Sequence, residues 1–315
     1  MMNLKKPKFW DYKEPNLFAY FLLPLAIIIQ LIKSITINTT REKLKIKTIC
    51  VGNIYIGGTG KTSLSIKIHE ILSRRKIKCC FIKKFYKDQI DEQKLLKSRG
   101  KLFLSSKRLE AINNAESEDY EFAILDDGLQ DTTVEYDTKL VCFNNLNWVG
   151  NGLPMPAGPL RENLRNLKKY HHVFLNGNNE NLDDIKKHLL KINSKINIHV
   201  GKYKPTNLNE FDKHRKYLVF SGIGNHQTFV SMIKSFGLKI YKDIEFPDHY
   251  NYKYKDIEKI LRLSNDMNCD VITTEKDYFR LDNQKINKIK FIKSEIQILD
   301  EEKLINSILK KDETN

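Results

Sequence analysis

The chain has 315 residues, of which 41% are apolar and 30% are charged, and its formal net charge is +15. This length fits two ordinary α/β domains or one domain with a large appendage, and the composition excludes a largely disordered protein. The positive charge has two interpretations, a lysine-rich composition throughout or a basic surface facing anionic lipid or nucleic acid. Because no RRM or helix-turn-helix motif accompanies it, we expect no nucleic-acid partner.

An uncharged apolar segment, residues 16–32, lies near the amino terminus with basic residues on both sides. Its length is at the lower limit of about 17 residues for a spanning helix. Three interpretations remain open: a helix that crosses the membrane, a helix that lies on its surface, and a buried helix of a soluble core. We predict a membrane-associated helix within an anchor region, residues 1–40. The flanking cations give no orientation.

Strand-like apolar runs alternate with helical patterns along the rest of the chain. The first series of strands covers 47–52, 78–84, 122–125, 139–143 and 172–175. A second series covers 217–220, 239–246 and 270–273. This alternation predicts an α/β protein with a doubly wound parallel sheet in residues 41–200 and a second, smaller α/β domain in residues 201–315.

The five cysteines form no Cys-x-x-Cys pair and have no histidines at zinc-binding spacing. Cys50, Cys142 and Cys269 lie in or beside strand-like runs, so we predict buried, reduced thiols. Reduced thiols indicate a reducing compartment, and hence the cytoplasmic side of any membrane involved.

A glycine-rich turn follows the first predicted strand and precedes its helix. It consists of Gly57, Gly58, Thr59, Gly60, Lys61 and Thr62. In such a loop, backbone N–H groups and the helix amino terminus bind phosphates. Lys61 would reach the β- and γ-phosphates, and the Thr62 hydroxyl would ligate Mg²⁺. The standard pattern begins with a glycine, and this chain has Tyr55 there.

Asp126 and Asp127 directly follow the apolar run 122–125. At the carboxyl edge of a parallel sheet, such a carboxylate can face Mg²⁺ bound next to the phosphate loop. The alternative is an ordinary Asp-Asp-Gly turn after a strand. Because the phosphate loop is also present, we predict that the two aspartates belong to a metal site.

Several sequence blocks together resemble the tetraacyldisaccharide 4'-kinase (lipid A 4'-kinase) family. They occur in the family's order at 51–62, 125–130, 150–152, 156–162, 246–250 and 274–277. The resemblance covers nearly the whole chain. It implies ATP-dependent phosphorylation of the 4'-hydroxyl of a lipid A disaccharide 1-phosphate precursor, by a monomer at the cytoplasmic face of a Gram-negative inner membrane.

The resemblance also implies roles for single residues. Asp91 matches the family's catalytic base, His249 matches the histidine paired with it, and Lys61 completes the catalytic set. The residues expected to bind substrate are Tyr86, Glu92, Arg108, Gln130, Asn151 and Arg161.

The sequence departs from the family pattern at three blocks. The family's Ser-Arg-Gly-Tyr-Gly is replaced by residues 83–87, which keep only Tyr86 and a cation at Lys84. The Gly-Asp-Glu-Pro block around Asp91 has lost its glycine and its proline. The usual His-Arg-Arg after Gln130 is replaced by Asp131, Thr132 and Thr133.

Two alternatives to a lipid kinase remain. The first is a membrane-recruited P-loop ATPase switch that acts on a protein partner. Ile56 stands where such ATPases often have a second lysine, and the guanine-reading Asn-Lys-x-Asp motif is missing. The second is a binding module without catalysis, suggested by the altered block at 83–93. Phosphate transfer to the lipid A precursor distinguishes all three.

Overall fold

The structure is a computed structural model that describes residues 6–35, 44–86, 89–177, 182–281 and 286–309. The chain forms two compact units. Unit 1 comprises residues 1–85, 99–202 and 298–315, and unit 2 comprises residues 86–98 and 203–297. The ranges 41–200 and 201–315 stay predictions of the domain boundaries.

Twelve strands and nine α-helices occur among the described residues. The strands are β1 (Lys47–Gly52), β2 (Cys79–Lys84), β3 (Leu102–Ser105), β4 (Phe122–Asp126), β5 (Thr138–Asn144), β6 (His172–Asn176), β7 (Asn197–Pro205), β8 (Lys216–Ser221), β9 (Lys239–Glu245), β10 (Asp270–Thr274), β11 (Ile289–Ile292) and β12 (Ser294–Ile298). The helices are α1 (Leu17–Ile35), α2 (Lys61–Arg74), α3 (Ile90–Arg99), α4 (Arg108–Ser117), α5 (Leu182–Ile192), α6 (His226–Ser235), α7 (Tyr254–Asp266), α8 (Glu275–Tyr278) and α9 (Glu301–Leu309).

An eight-stranded sheet has the order β12-β7-β6-β5-β1-β4-β2-β3. The pairings from β7 through to β3 are parallel. The order reverses at β1, which lies between β4 and β5. Ligands of open parallel sheets bind at such a reversal, outside the carboxyl ends of the strands. The predicted parallel, doubly wound sheet is confirmed.

The central strands of this sheet are apolar on both faces. All five residues of β4 are buried, as are five of the six residues of β1. Parallel strands show this pattern because helices cover both faces of the sheet. All five cysteines are free and buried, as predicted for Cys50, Cys142 and Cys269.

Unit 2 is built around a four-stranded sheet of order β11-β10-β8-β9, in which each pairing is parallel. Successive residues of β8 enter two different cores. Tyr217 and Val219 pack in a core with Ile233 of α6, whereas Leu218 and Phe220 pack in a core with apolar residues of α7. This alternation with period two follows from the pleat of a strand and confirms a second, smaller α/β fold.

The predicted amino-terminal segment forms the helix α1. Asn16 caps it, because its side chain accepts a hydrogen bond from the Ala19 backbone N–H at 2.9 Å. Within residues 17–33, only Ala19 and Ala26 are buried. The exposed large apolar residues are Leu17, Phe18, Tyr20, Phe21, Leu25, Ile27, Ile28, Leu31 and Ile32. This exposure contradicts the alternative of a buried core helix.

Within the part of the chain that the structure describes, no helix combines the length and apolar character needed to cross a membrane. The ends of the predicted anchor region, 1–5 and 36–40, lie outside the described residues, as do the last residues of the 201–315 range, 310–315.

Candidate functional site

The phosphate loop connects β1 to α2 in unit 1. Gly57 and Gly60 have φ angles of 125° and 81°, in the left-handed region that side chains disfavour. The loop is held in shape by two amides: Asn53 donates to the Gly57 carbonyl at 3.2 Å, and Asn176 donates to the Thr59 carbonyl. The buried Thr59 hydroxyl has no hydrogen-bond partner among the described residues. A loop with this shape and a spare buried hydroxyl fits a phosphate-bearing ligand.

Asp126 ends β4 at the same edge of the sheet and is fully buried. Thr62 Oγ1 donates to Asp126 Oδ2 at 3.2 Å, and Ser65 Oγ donates to Asp126 Oδ1 at 3.5 Å. Lys83 Nζ lies 2.7 Å from Asp126 Oδ2. Lys83 was not among the residues predicted from the sequence, although a lysine at the end of an apolar strand was a usable sign.

Asp127 follows with a φ angle of +60°. Arg161 Nη1 donates to Asp127 Oδ1 at 2.7 Å, and Lys61 Nζ lies 3.8 Å from Asp127 Oδ2. Burial alone would raise the pKa of the Asp127 carboxyl, but the charges of Lys61 and Arg161 lower it below its ordinary value. The predicted phosphate lysine and the predicted second aspartate are therefore neighbours in the structure.

Thr62 and Asp126 fit a magnesium ion that also binds nucleotide phosphates. Mg²⁺ prefers oxygen ligands and is usually held by one or two carboxylates together with phosphate oxygens and water. The Thr62 hydroxyl and the Asp126 carboxylate supply oxygens 3.2 Å apart. Asp126 Oδ2 also contacts Lys83 Nζ at 2.7 Å, and both oxygens of Asp127 face cations. Because its carboxylate lies beside the Thr62 hydroxyl, Asp126 is the better-placed aspartate of the predicted metal set.

Two predicted substrate residues lie directly beside the loop. The Gln130 side chain donates to the Asn53 carbonyl at 3.1 Å, and Arg161 Nη1 donates to Gln130 Oε1 at 3.2 Å. The Arg161 backbone N–H donates to the Ile54 carbonyl at 2.7 Å. These bonds fasten Gln130 and Arg161 to the segment that enters the phosphate loop.

Arg108, at the start of α4, is 7% exposed. It donates to Asp131 Oδ2 at 2.9 Å and to the Asp127 carbonyl. One of the departures from the family pattern, Asp131, is therefore the charge partner of Arg108.

Asn151 is buried in the loop between β5 and β6. Its side chain donates to the Ala157 carbonyl at 3.0 Å and to the Phe9 carbonyl at 3.4 Å, and it accepts from the Leu153 N–H at 3.1 Å. The amide thus fastens this loop to the segment before α1, and its predicted role in substrate binding stays a prediction.

Unit 2 contains the predicted base. Asp91 is the second residue of α3 and is 6% exposed. Its carboxylate lies 2.6 Å from Arg280 Nη2, 3.5 Å from His249 Nδ1 and 3.6 Å from Lys276 Nζ. Burial alone would raise the pKa of Asp91, but the contact with His249 and the charges of Lys276 and Arg280 hold this pKa well below its ordinary value. Asp91 is therefore ionised at neutral pH.

Glu92 and His249 lie in the same cluster. Lys276 Nζ lies 2.7 Å from Glu92 Oε1, and His249 Nε2 lies 3.7 Å from the same oxygen. His249 has a φ angle of +56°, and its backbone N–H donates to the Gly222 carbonyl at 3.0 Å. The structure thus brings Asp91 and His249 together, as the resemblance implied.

Asp277 supports this cluster through its hydrogen bonds. It is fully buried and accepts from the Gly222 N–H at 3.0 Å, the Tyr252 hydroxyl at 2.9 Å and Arg280 Nη1 at 2.9 Å. The Thr274 side chain caps α8 by accepting from the Asp277 N–H at 3.0 Å. The 274–277 block is also one of those that carry the resemblance to the family. Its spacing, a capping threonine three residues before a carboxylate, predicts such a local network.

Tyr86 lies at the start of the unit 2 segment. Its carbonyl accepts a hydrogen bond from the Gln93 side chain at 2.7 Å, and the residue is 39% exposed. Lys87, in the same altered block, lies outside the described residues.

A strand, a glycine-rich loop and a helix that begins with Lys61 and Thr62, beside a strand that ends with Asp126, define a P-loop nucleotide-binding protein. The chain belongs to the tetraacyldisaccharide-1-P 4'-kinase family, whose sequence model matches residues 18–313.

Three relatives illustrate the match. A tetraacyldisaccharide 4'-kinase of Pelagibacter ubique is 58% identical over 314 residues, and the match covers 100% of each chain. The Rickettsia canadensis enzyme of that name is 32% identical, with coverage of 99% of this chain and 98% of the relative. The crystal structure of LpxK from Aquifex aeolicus in complex with ATP has a TM-score of 0.69 at 21% identity, covering 93% of this chain and 100% of that one. This last likeness shows the fold.

Proposed function

We propose that this protein transfers the γ-phosphate of ATP to the 4'-hydroxyl of a tetraacyl disaccharide 1-phosphate, a precursor of lipid A. Membership in the family supports this reaction, and the LpxK relative was solved with ATP. The observation that carries the proposal is the buried, ionised Asp91 next to His249. A nucleotide switch needs a phosphate loop but has no use for a carboxylate base of this kind.

The residues of unit 1 bind and orient the nucleotide phosphates. The N–H groups of the loop and the Lys61 ammonium hold the phosphate oxygens. Thr62 and Asp126 would hold Mg²⁺, which neutralises charge on the phosphates when it is bound. Asp127 keeps Lys61 near the loop until the nucleotide arrives, since the two side chains lie 3.8 Å apart.

Asp91 acts as the general base. The hydroxyl oxygen of the sugar forms a bond to the γ-phosphorus, the bond from that phosphorus to the ADP oxygen breaks, and the hydroxyl proton passes to Asp91. His249 orients the carboxylate and shares the charge of the cluster. A positioned base contributes on the order of 10²–10⁴ to the rate.

The remaining predicted residues are proposed to bind the acceptor. They are Tyr86, Glu92, Arg108, Gln130, Asn151 and Arg161. The guanidinium groups suit the acceptor's phosphate, because a guanidinium binds phosphate through paired hydrogen bonds. The carboxylate and amide groups suit its sugar hydroxyls.

The helix α1 is proposed to attach the protein to the cytoplasmic face of the inner membrane of a Gram-negative bacterium. Its exposed apolar side chains would enter the lipid, and the basic residues before and after it would face anionic headgroups. An acceptor with four acyl chains resides in such a membrane, so attachment brings the enzyme to its substrate.

The test incubates purified protein with ATP, Mg²⁺ and tetraacyl disaccharide 1-phosphate in detergent micelles. We expect a bisphosphorylated product, and Asp91→Asn should lower kcat by on the order of 10²–10⁴ with little change in ATP binding. Asp266→Asn, at an exposed aspartate of the same unit, is the matched control.

ATP turnover that does not depend on the acceptor would favour the P-loop ATPase switch. If neither turnover nor product formation is seen with folded protein, the binding module is favoured. Near-normal turnover of Asp91→Asn would remove Asp91 from the mechanism.

A further inference from the structure

Lys83 lies at the carboxyl end of β2, next to Asp126 at the end of β4. The two strands are parallel neighbours in which Ile82 pairs with Leu125, so the next residue of each strand reaches the same edge of the sheet. Lys83 Nζ lies 2.7 Å from Asp126 Oδ2, and the two side chains are 1% and 0% exposed. An ion pair this deeply buried is screened much less than an exposed one.

Lys83 is the cation that compensates the charge of Asp126. The carboxylate also accepts hydrogen bonds from Thr62 at 3.2 Å and Ser65 at 3.5 Å, but these hydroxyls carry no charge. The other cations of the phosphate site pair with the neighbouring carboxylate, Asp127. Removing the cation from a buried ion pair is strongly destabilising, so Lys83 and Asp126 stabilise each other in the nucleotide-free protein.

Lys83 also stands in one of the blocks where the sequence departs from the family pattern. The family block that residues 83–87 replace begins with a serine, and here that position holds Lys83. The carboxylate proposed to bind Mg²⁺ therefore has a positive partner supplied by the protein itself.

We propose that Lys83 is a positioning residue that acts as the resident counter-ion of Asp126 and competes with divalent metal for this carboxylate, so that the metal enters only together with the nucleotide. A free cation approaching Asp126 is repelled by the ammonium group 2.7 Å from the same oxygen. The phosphates of a nucleotide supply the extra negative charge that allows the ammonium and the metal ion to remain together. The inference rests on the proposed metal and nucleotide site.

The test measures the binding of Mn²⁺ alone to the nucleotide-free full-length protein by electron paramagnetic resonance. Lys83→Met removes the charge and keeps much of the side-chain length, and it should tighten Mn²⁺ binding by at least about tenfold. Lys83→Arg keeps the charge and should bind Mn²⁺ like the wild type.

The matched control is Lys101→Met, which breaks an ion pair with Glu118 of 2.9 Å whose side chains are 47% and 48% exposed. It changes the total charge by the same amount. Lys101 precedes β3, so it lies at the amino ends of the parallel strands, whereas Lys83 lies at their carboxyl ends. Equal Mn²⁺ affinity for wild type and Lys83→Met, or an equal gain for Lys101→Met, overturns the proposal.

A stability measurement covers the case in which Lys83→Met unfolds without metal. Its folded fraction is followed by circular dichroism as Mn²⁺ is added, alongside the double variant Lys83→Met/Asp126→Asn. Recovery by Mn²⁺ in the single variant alone supports the counter-ion role. A folded double variant with no recovery of the single variant overturns it.

The kinase assay on the wild type separates this inference from the proposed function. Product formation with unchanged Mn²⁺ affinity of Lys83→Met overturns the counter-ion role and leaves the kinase standing. Tighter Mn²⁺ binding without product supports the counter-ion role and rejects the kinase.

Discussion

Arg280 is expected to set the pH dependence of the reaction through its contact with Asp91. Its Nη2 atom lies 2.6 Å from Asp91 Oδ2, and the two side chains are 8% and 4% exposed. The base must be ionised to accept a proton, so activity falls as pH drops through the pKa of Asp91. Because this pKa is held below its ordinary value of 3.8, the wild-type acid limb of kcat/KM lies below that value as well.

Arg280→Met should move this acid limb to higher pH. An opposite charge within about 4–6 Å lowers the pKa of a carboxyl by about 1–3 units. Lys276 and His249 remain at 3.6 Å and 3.5 Å, so we expect the lower part of this range, a shift of about 1–2 units. That shift corresponds to a loss of about 1.4–2.7 kcal/mol in the free energy by which the protein favours the ionised over the protonated Asp91.

The assay is the pH profile of kcat/KM for phosphate transfer, with the folded state checked at each pH. Removing one partner of a buried ion pair costs about 3–5 kcal/mol of folding free energy, a large part of a typical stability. Arg280→Lys keeps the charge and should retain an acid limb close to that of the wild type.

The control for Arg280→Met is Arg215→Met in the same unit, where the ion pair with Asp270 is 2.9 Å long and its side chains are 49% and 29% exposed. The reasoning is refuted if folded Arg280→Met keeps the wild-type acid limb, or if Arg215→Met moves it equally.

Three further outcomes are expected. Lys61→Met should weaken ATP binding by on the order of 10–100-fold in equilibrium dialysis, because a charge-assisted bond to phosphate is lost, and unchanged affinity would contradict its role. Phe21→Glu, at a residue 79% exposed on α1, should weaken binding to anionic vesicles by about tenfold or more in a flotation assay, whereas Tyr241→Glu, 57% exposed on β9, should not. Burial and the neighbouring histidines lower the pKa of His172 from 6.5 to about 3. Because the unfolded chain then binds a proton more readily than the folded protein, His172 lowers the free energy of unfolding as pH falls below 6.5. From pH 7 to pH 5 it accounts for about 2 kcal/mol of lost stability in urea titrations, a loss that His172→Gln should abolish and the exposed His188→Gln should not.

The nucleotide site could be predicted from the sequence because its parts are local. The glycines, Lys61 and Thr62 are consecutive, and Asp126 follows an apolar run whose carboxyl end a parallel sheet places at the same edge. The contact of Lys83 with Asp126 could not be predicted this way. It depends on β2 lying next to β4, and strand order is a property of the whole fold.

Asp91 could be predicted as the base only from the resemblance to a family. Asp91 and His249 are far apart in sequence, and each alone has the pattern of a polar surface residue. The helix that presents Asp91, α3, is rich in charged residues, so its apolar periodicity is too weak to predict a helix. Arg280 and Asp277 were missed for a similar reason, because their partners come from three separate segments of unit 2.

The excess positive charge of the chain does not lie at the two sites, because the buried carboxylates there are paired with cations. Each of them, and the half-buried Asp127, has a cation within 4 Å, in the pairs Asp126 with Lys83, Asp127 with Arg161 and Glu92 with Lys276, while Arg280 is shared by Asp91 and Asp277. These pairs bring the described sites close to neutrality before any substrate binds. The net charge of +15 therefore lies mainly on exposed lysines and arginines, where salt screens it strongly. This surface charge can attract an anionic membrane over a distance. Binding at the two sites instead requires a ligand to replace one partner of an existing ion pair.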